Sequence, residues 1–169
     1  YIFLSINQRL STWIFGFLCA LLYCVVFFQT KFYAGMALQV YYAAISVYGW
    51  FSWKTGNSSS DEGLPVTKTS RKLMMRILTV SVFLFLVIYF LLKNYTDSPI
   101  PMPDAFTTSF SLVATWMLTR KKLEHWIFWI FINVASVAMF LYKGMYPTVI
   151  LFVVYTVMAV AGYFRWKKS

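Results

Sequence analysis

The chain has 169 residues, of which 60% are hydrophobic and 21% aromatic, while only 12% are charged, about half the usual share of a globular protein. So little polar material cannot cover the surface of a water-soluble fold. The composition excludes a secreted disulfide scaffold, a nucleic-acid-binding domain and almost any soluble enzyme, in spite of a net charge of +10.

The charged residues are clustered and leave long apolar stretches between them. In chain order, the charge-free stretches are 10–30, 32–53, 77–92, 105–119, 125–142 and 144–164. Several approach the roughly 20 residues that an α-helix needs to cross a bilayer. Residues 1–8 are apolar from the first position, and we interpret them as the end of one more helix whose beginning is missing. The sequence therefore predicts an all-α integral membrane protein with seven helices, the first of them truncated.

The basic residues fall unequally on the two sides of this predicted bundle. With seven helices, the odd-numbered connections and the C-terminal tail share one side and hold 12 of the 15 Lys and Arg residues. The even-numbered connections hold Lys31, Lys93 and Lys143. By the positive-inside rule the richer side is cytoplasmic. We therefore expect the C-terminus inside the cell and the N-terminus outside.

An internal repeat indicates two similar halves. Without gaps, residues 13–54 align with 126–167 at 13 identical positions of 42, and both copies end in Gly-aromatic-Phe-x-Trp-Lys. Equivalent helices are four spans apart, so the two halves run in the same direction. Parallel repeats of this kind occur in transporters that bind substrate near the midplane between the halves.

The repeat predicts a 3+1+3 arrangement of helices. Residues 1–53 would form the first three-helix repeat, with helix 1 partial. Residues 54–103 would form a linker that contains transmembrane helix 4, and residues 104–169 the second three-helix repeat.

Polar side chains inside membrane helices are candidates for substrate binding, because they are costly there unless they are paired or line a cavity. In three helices they follow helical spacing, so that each set shares a face. The candidates are Gln39, Tyr42 and Ser46 in helix 3, Thr108 and Ser111 in helix 5, and Trp126, Trp129 and Asn133 in helix 6. Weaker candidates, for substrate contact or gating, are Asp104, Glu124, Trp50 and Trp53.

Tryptophans at helix ends also have a purely structural interpretation. Trp13, Trp53 and Trp166 stand near predicted helix ends, where this residue is typical of the membrane interface. The hydroxyl side chains of helix 5 can likewise bond the carbonyl one turn back.

The remaining polar candidates can be explained without a substrate too. Asp104 follows two prolines and is placed to cap helix 5. Glu124 can be solvated beside the basic residues 120–122. Gln39 and Asn133 can hydrogen-bond between helices.

The sequence lacks the patterns that catalysis or ion coupling would need. No charged residue lies at mid-span, so a phosphate would find no fixed countercharge and a coupling ion no buried carboxylate. The chain has no metal-ligand spacing, glycine-rich phosphate loop or nucleophile motif, so we predict neither an enzyme nor a cofactor. Its aromatic lining suits an aromatic solute without phosphate, and a cation over a Trp face gains about 1–2 kcal/mol.

Two motifs resemble those of the PnuC family of bacterial vitamin transporters. The first is Leu38–Val40 together with Tyr48–Trp53 in helix 3. The second is Glu-x-Trp-x-x-Trp-x-x-x-Asn over residues 124–133. Asp104 and Ser111 also fall where the family has an Asp and a Ser. The similarity extends over helices 2, 3, 5, 6 and 7.

This resemblance implies a SWEET-like fold, a homotrimer in the bacterial cytoplasmic (inner) membrane, and uptake of nicotinamide riboside by facilitated diffusion. Phosphorylation by a separate cytoplasmic kinase would trap the product. The pyridinium cation would lie on Trp126 and Trp129, the carboxamide would bind Asn133, and ribose hydroxyls would bind Gln39 and its neighbours. The implied partners are this small molecule, the lipid bilayer and further copies of the chain, not nucleic acid.

One residue departs from the family pattern. Met36, one turn before Gln39, stands where a nicotinamide riboside carrier is expected to have a polar residue. Thiamine, riboflavin or another B vitamin therefore stays open as the substrate. From other classes, a membrane enzyme would need a nucleophile–base pair or a metal site, and an assembly protein would leave Gln39 and Asn133 unexplained.

Overall fold

The computed structural model of the protein describes residues 2–29, 33–55, 64–96 and 99–168. Within these ranges it contains seven α-helices and one isolated β-bridge, between Thr67 and Lys122. The helices are α1 (Ile2–Ile6), α2 (Ser11–Gln29), α3 (Tyr33–Thr55), α4 (Arg71–Tyr95), α5 (Pro101–Thr119), α6 (His125–Tyr142) and α7 (Tyr146–Lys167). The prediction of seven helices in this order is confirmed.

The composition of these helices accounts for a membrane location. Among the described residues, α4, α6 and α7 are each long and apolar enough to span a bilayer. Large side chains on α4 are open to the surroundings: Phe83, Leu86 and Phe90 are 64%, 57% and 59% exposed. In water such a surface would drive aggregation, whereas lipid covers it at no cost.

Local sequence explains where the helices begin and end. The Ser70 hydroxyl accepts a hydrogen bond from the N–H of Leu73 at 3.3 Å and so caps the start of α4. Between α6 and α7, Gly144 has a φ of +69°, which glycine adopts without strain. Pro147 stands in the first turn of α7, where a missing N–H costs nothing. This tight turn brings α7 back along α6.

The chain forms two compact units, each with its own interior. The first unit is Tyr1–Val66 with Leu118–Lys121, and the second is Thr67–Met117 with Lys122–Ser169. In the first, α2 packs on α3, and the last residues of α5 join them. In the second, α6 packs on α7. The core of the second unit lies among α4, α5 and α6 and consists of Ile77, Val113, Ala114, Met117, Phe128 and Ile132.

Parts of the predicted linker, residues 56–63 and 97–98, lie outside the described residues. Of its described remainder, α4 is the largest element. The segment before α4 is attached to the loop between α5 and α6, since the N–H of Leu123 donates to the carbonyl of Thr67 at 3.0 Å. The Lys122 Nζ also donates to Thr67 Oγ1 at 3.0 Å.

Candidate functional site

In the first unit, α2 and α3 are joined by a tryptophan–glycine–tryptophan cluster made of Trp13, Gly49 and Trp53. The two indoles meet edge to face, with ring centroids 5.3 Å apart and planes at 87°. A Cβ placed on Gly49 would lie 2.6 Å from the Trp13 ring, closer than real Cβ atoms approach. Only glycine at position 49 therefore lets the Trp13 indole lie against the backbone of α3.

In the second unit, Trp126, Gly162 and Trp166 form the same kind of cluster between α6 and α7. The indole centroids are 5.6 Å apart with planes at 88°, and a Cβ on Gly162 would lie 2.7 Å from the Trp126 ring. His125 adds a third ring, 4.5 Å from Trp126 and 4.8 Å from Trp166 between centroids. Each residue of this cluster lies 113 positions after its counterpart in the first cluster, the offset of the sequence repeat.

The expectation that Trp13, Trp53 and Trp166 anchor the chain at the membrane interface is wrong. Their side chains are 1%, 2% and 1% exposed, so they do not reach a lipid headgroup region. A glycine on the neighbouring helix gives each cluster room for an indole inside the protein. Burial of an aromatic side chain this large is a strong contribution to packing.

Within the first unit, Trp53 and its neighbour Ser52 also form hydrogen bonds with the end of α5. Trp53 Nε1 donates to the carbonyl of Leu118 at 3.2 Å, and Ser52 Oγ donates to that of Thr119 at 3.0 Å. These carbonyls are in the last turn of α5, where the helix itself offers no donors. Side chains of α3 thus satisfy the C-terminal end of α5.

Lys121 lies on the other side of Trp53 in a buried setting. Its Nζ is 4.6 Å from the Trp53 ring centroid, in cation–π geometry, and donates to Gln8 Oε1 at 3.2 Å. The side chain is 7% exposed, and this burial lowers the pKa of the amine, because a charge is harder to keep away from water. Trp53 is therefore a structural junction in this unit, which is more than its predicted role as a weak gating candidate.

The turns after α1 and after α5 have matching backbone geometry, again 113 residues apart. Gln8 and Lys121 both have positive φ angles, 53° and 45°. The N–H of Gln8 donates to the carbonyl of Ser5 at 3.0 Å, as that of Lys121 does to Leu118. A left-handed conformation costs a non-glycine residue about 1–3 kcal/mol, so other contacts have to hold it. The Gln8–Lys121 hydrogen bond is one such contact.

The candidates on α3 lie along one face of the first unit. Ser46 is 5% exposed and donates to the carbonyl of Tyr42 at 2.7 Å, while Gln39 and Tyr42 are half-buried. Trp50, one turn further on, is also half-buried and lines a groove of about 180 Å³ with Trp13 and Ser46. The structure thus brings Tyr42, Ser46 and Trp50 together along this face.

In the second unit, the candidates on α6 differ in how much of each side chain is accessible. Asn133 is 3% exposed and Trp126 is 1% exposed. Trp129 is half-buried and packs against the core of the unit. Of the two predicted ring contacts, Trp129 therefore has accessible surface, whereas the Trp126 ring is enclosed by Gly162 and Trp166.

The hydroxyl candidates of α5, Thr108 and Ser111, are half-buried in the second unit. Thr115, one turn after Ser111, donates to the Ser111 carbonyl at 2.8 Å. The expected bond to the carbonyl one turn back is therefore confirmed for Thr115.

Two structural interpretations of acidic residues are wrong. Asp104 does not cap α5, because the helix begins at Pro101 and Asp104 is already inside its first turn. A carboxylate in the first turn still opposes the helix dipole favourably. Glu124 is not simply solvated: its Oε2 accepts from the N–H of Thr69 at 2.9 Å and from Thr69 Oγ1 at 2.6 Å. It therefore fastens the segment before α4 to the start of α6.

Sequence reasoning missed Thr69, Gln8 and Lys121. Thr69 lies in a polar segment without helical periodicity, so nothing marked it as a partner of Glu124. The repeat offset relates Gln8 to Lys121, but the residue types differ and the identity count did not extend to them. Their matching backbone angles only become visible in three dimensions.

A separate cavity of about 570 Å³ in the second unit is lined by apolar side chains of α4, α5 and α6 and of the segment before α5. Its lining consists of Phe85, Ile100, Met102, Pro103, Phe106, Ala135, Ala138, Met139 and Tyr142. None of these is a predicted binding residue, and such a wall offers few groups to a polar ligand. Over the described ranges, no group of His, Cys, Asp and Glu is arranged to hold a metal ion.

Comparison with known proteins identifies the family. The model of a family described as "Nicotinamide mononucleotide transporter" matches residues 1–168. The nicotinamide riboside transporter PnuC of Escherichia coli is 30% identical, over 96% of this chain and 78% of the relative. The chain belongs to this family. The predicted membership of the PnuC family is thereby confirmed, and the family is one of membrane transporters, not of enzymes.

Two more distant relatives include one with the same name and one with a different name. The nicotinamide riboside transporter PnuC of Neisseria mucosa is 23% identical over 95% of this chain and 65% of the relative. The riboflavin/roseoflavin transporter RibM of Streptomyces davaonensis is 24% identical over 96% and 77%. A crystal structure of the vitamin B3 transporter PnuC matches with a TM-score of 0.75 at 22% identity, covering 99% of this chain and 75% of that one. The helical PnuC fold is thus confirmed for this multi-pass membrane protein.

Proposed function

We propose that this PnuC-family chain carries unphosphorylated nicotinamide riboside across the membrane by facilitated diffusion, and that phosphorylation in the cytoplasm traps the product. The observation that carries the proposal is the neutral stripe of Trp129 and Asn133 on α6, in a chain 30% identical to a nicotinamide riboside transporter. An indole attracts the pyridinium cation and an amide matches the carboxamide.

The family description names the mononucleotide, but the charge pattern favours the riboside. A phosphate needs Arg or Lys or a helix N-terminus to replace its hydration. No Lys or Arg lies between residues 32 and 53 or between 125 and 142, which cover the α3 and α6 faces. Burying a dianion along such faces without countercharge is strongly unfavourable. The same argument explains why the phosphorylated product would not return.

We propose the polar candidates of each unit, taken by itself, as substrate contacts. On α3 these are Gln39, Tyr42 and Ser46, whose amide and hydroxyls suit the ribose. In the second unit they are Thr108, Ser111, Trp129 and Asn133. Trp126 lies on the same stripe of α6, with a ring that is buried within the protein. Asp104, Glu124 and Trp50 stay weaker candidates for gating.

We further propose a SWEET-like 3+1+3 organisation, with repeats in residues 1–53 and 104–169 and a linker in 54–103. Two matched clusters of tryptophan and glycine, and two matched left-handed turns, support it. All of them share the offset of 113 residues, which is not expected of unrelated segments.

The distribution of basic residues supports an orientation with the C-terminus in the cytoplasm and the N-terminus outside, in the bacterial inner membrane. We also propose that the protein is a homotrimer, as the resemblance to the PnuC family implies. Crosslinking in membranes, followed by mass measurement, tests that stoichiometry.

A second substrate class is favoured by one residue and one relative. The Met36 side chain has only a weak thioether acceptor where a polar residue is expected. RibM, named for riboflavin and roseoflavin, is 24% identical. Thiamine, riboflavin or another B vitamin is therefore the alternative cargo. All are flat aromatic molecules, so the same tryptophan can serve them.

The test is uptake into liposomes that contain the purified protein and no ion gradient. Radiolabelled nicotinamide riboside should equilibrate across the membrane, and unlabelled riboside should compete, whereas the mononucleotide should not. Thiamine and riboflavin are run as competitors in parallel. A strict need for a proton or sodium gradient would contradict facilitated diffusion, and preferential competition by another vitamin would reassign the cargo.

Trp129→Ala should weaken riboside binding at least tenfold, about 1.4 kcal/mol, by loss of ring stacking in a protein that stays folded. Isothermal titration calorimetry on purified protein measures the affinity. Trp116→Ala serves as the matched control, because Trp116 is a half-buried tryptophan of α5 that packs against the same core as Trp129 and is not a candidate for substrate contact. Unchanged affinity in Trp129→Ala would remove this residue from the site.

A further inference from the structure

Trp126 and Trp129 have equal standing in the α6 sequence motif, but their surroundings differ. Trp129 is half-buried, whereas Trp126 is 1% exposed. The Cε2, Cζ2 and Cη2 atoms of Trp126 are those that a Cβ on Gly162 would meet, at 2.7–2.8 Å. Its outer ring is therefore inserted into the notch that a missing side chain leaves on α7, and Trp166 and His125 cover further parts of it.

The first unit shows what such an indole does where the α6 motif is absent. Trp13 is inserted at Gly49 and meets Trp53 edge to face, with nearly the same distances and angle as the Trp126 cluster. Trp13 lies on α2, a helix that carries no substrate candidate. The packing of this indole is therefore sufficient reason for its presence, and the same packing accounts for Trp126.

A side chain inserted into a gap on the neighbouring helix fixes both the axial position of its own helix and the rotation of that helix about its axis. Asn133 follows Trp126 by seven residues, which is about 10.5 Å along the helix and only about 20° around it. Trp129 follows by three and lies about 60° away on the same side. A rotation of α6 that withdraws Trp126 from Gly162 would therefore turn both contact residues by the same angle.

We propose that Trp126 is a positioning residue of the PnuC-type site: its indole, inserted at Gly162, sets the rotation of α6 that presents Trp129 and Asn133 to the substrate. The inference rests on the proposed function, because it needs a ligand on that face. It assigns the two tryptophans of one motif different tasks, the first to packing and the second to the ring of the vitamin.

The experiment compares Gly162→Ala, Trp126→Phe and the double variant, with nicotinamide riboside as the titrated ligand in calorimetry and thermal unfolding as a second readout. Gly162→Ala touches no substrate but pushes the indole out, so riboside affinity of the folded protein should fall about tenfold. Phenylalanine lacks the outer ring that meets position 162. Trp126→Phe alone should therefore lose at most about threefold, and the double variant should regain most of the affinity.

Two results would overturn the proposal. If Trp126→Phe loses tenfold or more with the fold intact, and the double variant does not recover, Trp126 contacts the substrate itself. If Gly162→Ala lowers the unfolding temperature but leaves riboside affinity unchanged, the cluster is structural only. If Gly162→Ala does not fold, the affinity of Trp126→Phe alone decides between positioning and contact.

Ligand binding by the wild-type protein distinguishes a failure of this inference from a failure of the proposed function. Failure of the wild-type protein to bind riboside, thiamine or riboflavin would contradict the proposed function, whatever the variants do. Gly49→Ala is the matched control: it should lower the unfolding temperature through Trp13, and the Gly49→Ala, Trp13→Phe pair should restore it.

Discussion

The two tryptophan–glycine–tryptophan clusters are built alike but are used differently. In both, an indole fills a glycine notch on the next helix and meets a second indole nearly at right angles. In the first unit, the second indole, Trp53, also donates a hydrogen bond to the Leu118 carbonyl at the end of α5 and makes a cation–π contact with the Lys121 amine. In the second, His125 packs on both rings. A repeated packing unit has thus kept its core while its surroundings diverged.

This difference teaches how to interpret the aromatic motif on α6. Aromatic side chains at helical spacing can serve packing, ligand binding or both, and composition does not separate these tasks. The first cluster separates packing from ligand binding, because it contains the inserted indole of Trp13 without the substrate motif. What both clusters share is structural, and what only α6 has, Trp129 and Asn133, is what the proposed function assigns to the substrate.

The largest expected effect comes from removing an inserted indole. Trp13→Ala should destabilise the protein by about 3–5 kcal/mol, because it leaves a large cavity and an unfilled glycine notch. If the clusters are equivalent, Trp126→Ala should cost a similar amount, because Trp126 is the indole inserted at Gly162. Thermal unfolding in detergent, followed by size-exclusion chromatography of the surviving protein, measures both.

Trp50→Ala is the control for these variants, since the half-buried Trp50 ring is not the one that lies against Gly49 or Gly162. It should lower the unfolding temperature clearly less than Trp13→Ala. Equal losses for Trp13→Ala and Trp50→Ala would contradict the idea that the notch makes the cluster special.

The clusters also show how far sequence reasoning reaches in this protein. Charge-free stretches and the repeat predicted the seven helices, because membrane spans are set by length and apolarity alone. Gly49 and Gly162 were visible as identical positions in the repeat. Their partners were not, since the approach of Trp13 or Trp126 depends on the rotation of one helix against another. Tryptophan near a helix end was therefore assigned to the interface by its average behaviour.

The structural interpretations of Asp104 and Glu124 are wrong for a related reason. A carboxylate near a helix start has several uses, and the choice depends on residues far away in sequence. Asp104 follows two prolines that already begin the helix, so no cap position is left for it. Glu124 has its partner 55 residues earlier, in Thr69. Of the site itself, sequence provides the candidate residues and their shared faces, but not the degree of burial that distinguishes Trp126 from Trp129.

An intermediate effect should come from a contact that the second unit has and the first lacks. Glu124 binds Thr69, whereas Ser11 occupies the matching position of the first unit. Glu124→Gln keeps the shape but loses the charge that strengthens two hydrogen bonds, so it should cost about 1–3 kcal/mol locally. Amide hydrogen exchange at Thr69 measures this as faster exchange.

Thr69→Val is the companion of Glu124→Gln, because it removes the hydroxyl donor but keeps the backbone N–H. It should raise exchange at position 69 less than Glu124→Gln does. If neither variant changes exchange there, the segment before α4 is held by the Thr67 contacts alone.

The smallest expected effect concerns the charge on Lys121. Its cation–π contact with Trp53 is worth about 0.5–2 kcal/mol, but the buried amine gives up hydration in return. Lys121→Met should therefore change stability by less than about 1 kcal/mol, no more than Lys122→Met in the neighbouring position.

The pH dependence of the unfolding temperature distinguishes the Lys121→Met variant from the Lys122→Met variant. Because the pKa of Lys121 in the folded protein is below its usual 10.5, the folded state releases this proton more readily than the unfolded chain. Its contribution to stability therefore rises with pH between the lowered value and 10.5, and Lys121→Met should lose that rise in unfolding temperature while Lys122→Met keeps it. A loss above about 2 kcal/mol at neutral pH would instead mean that the amine is indispensable to the first cluster, and that its two cationic contacts outweigh the cost of burial.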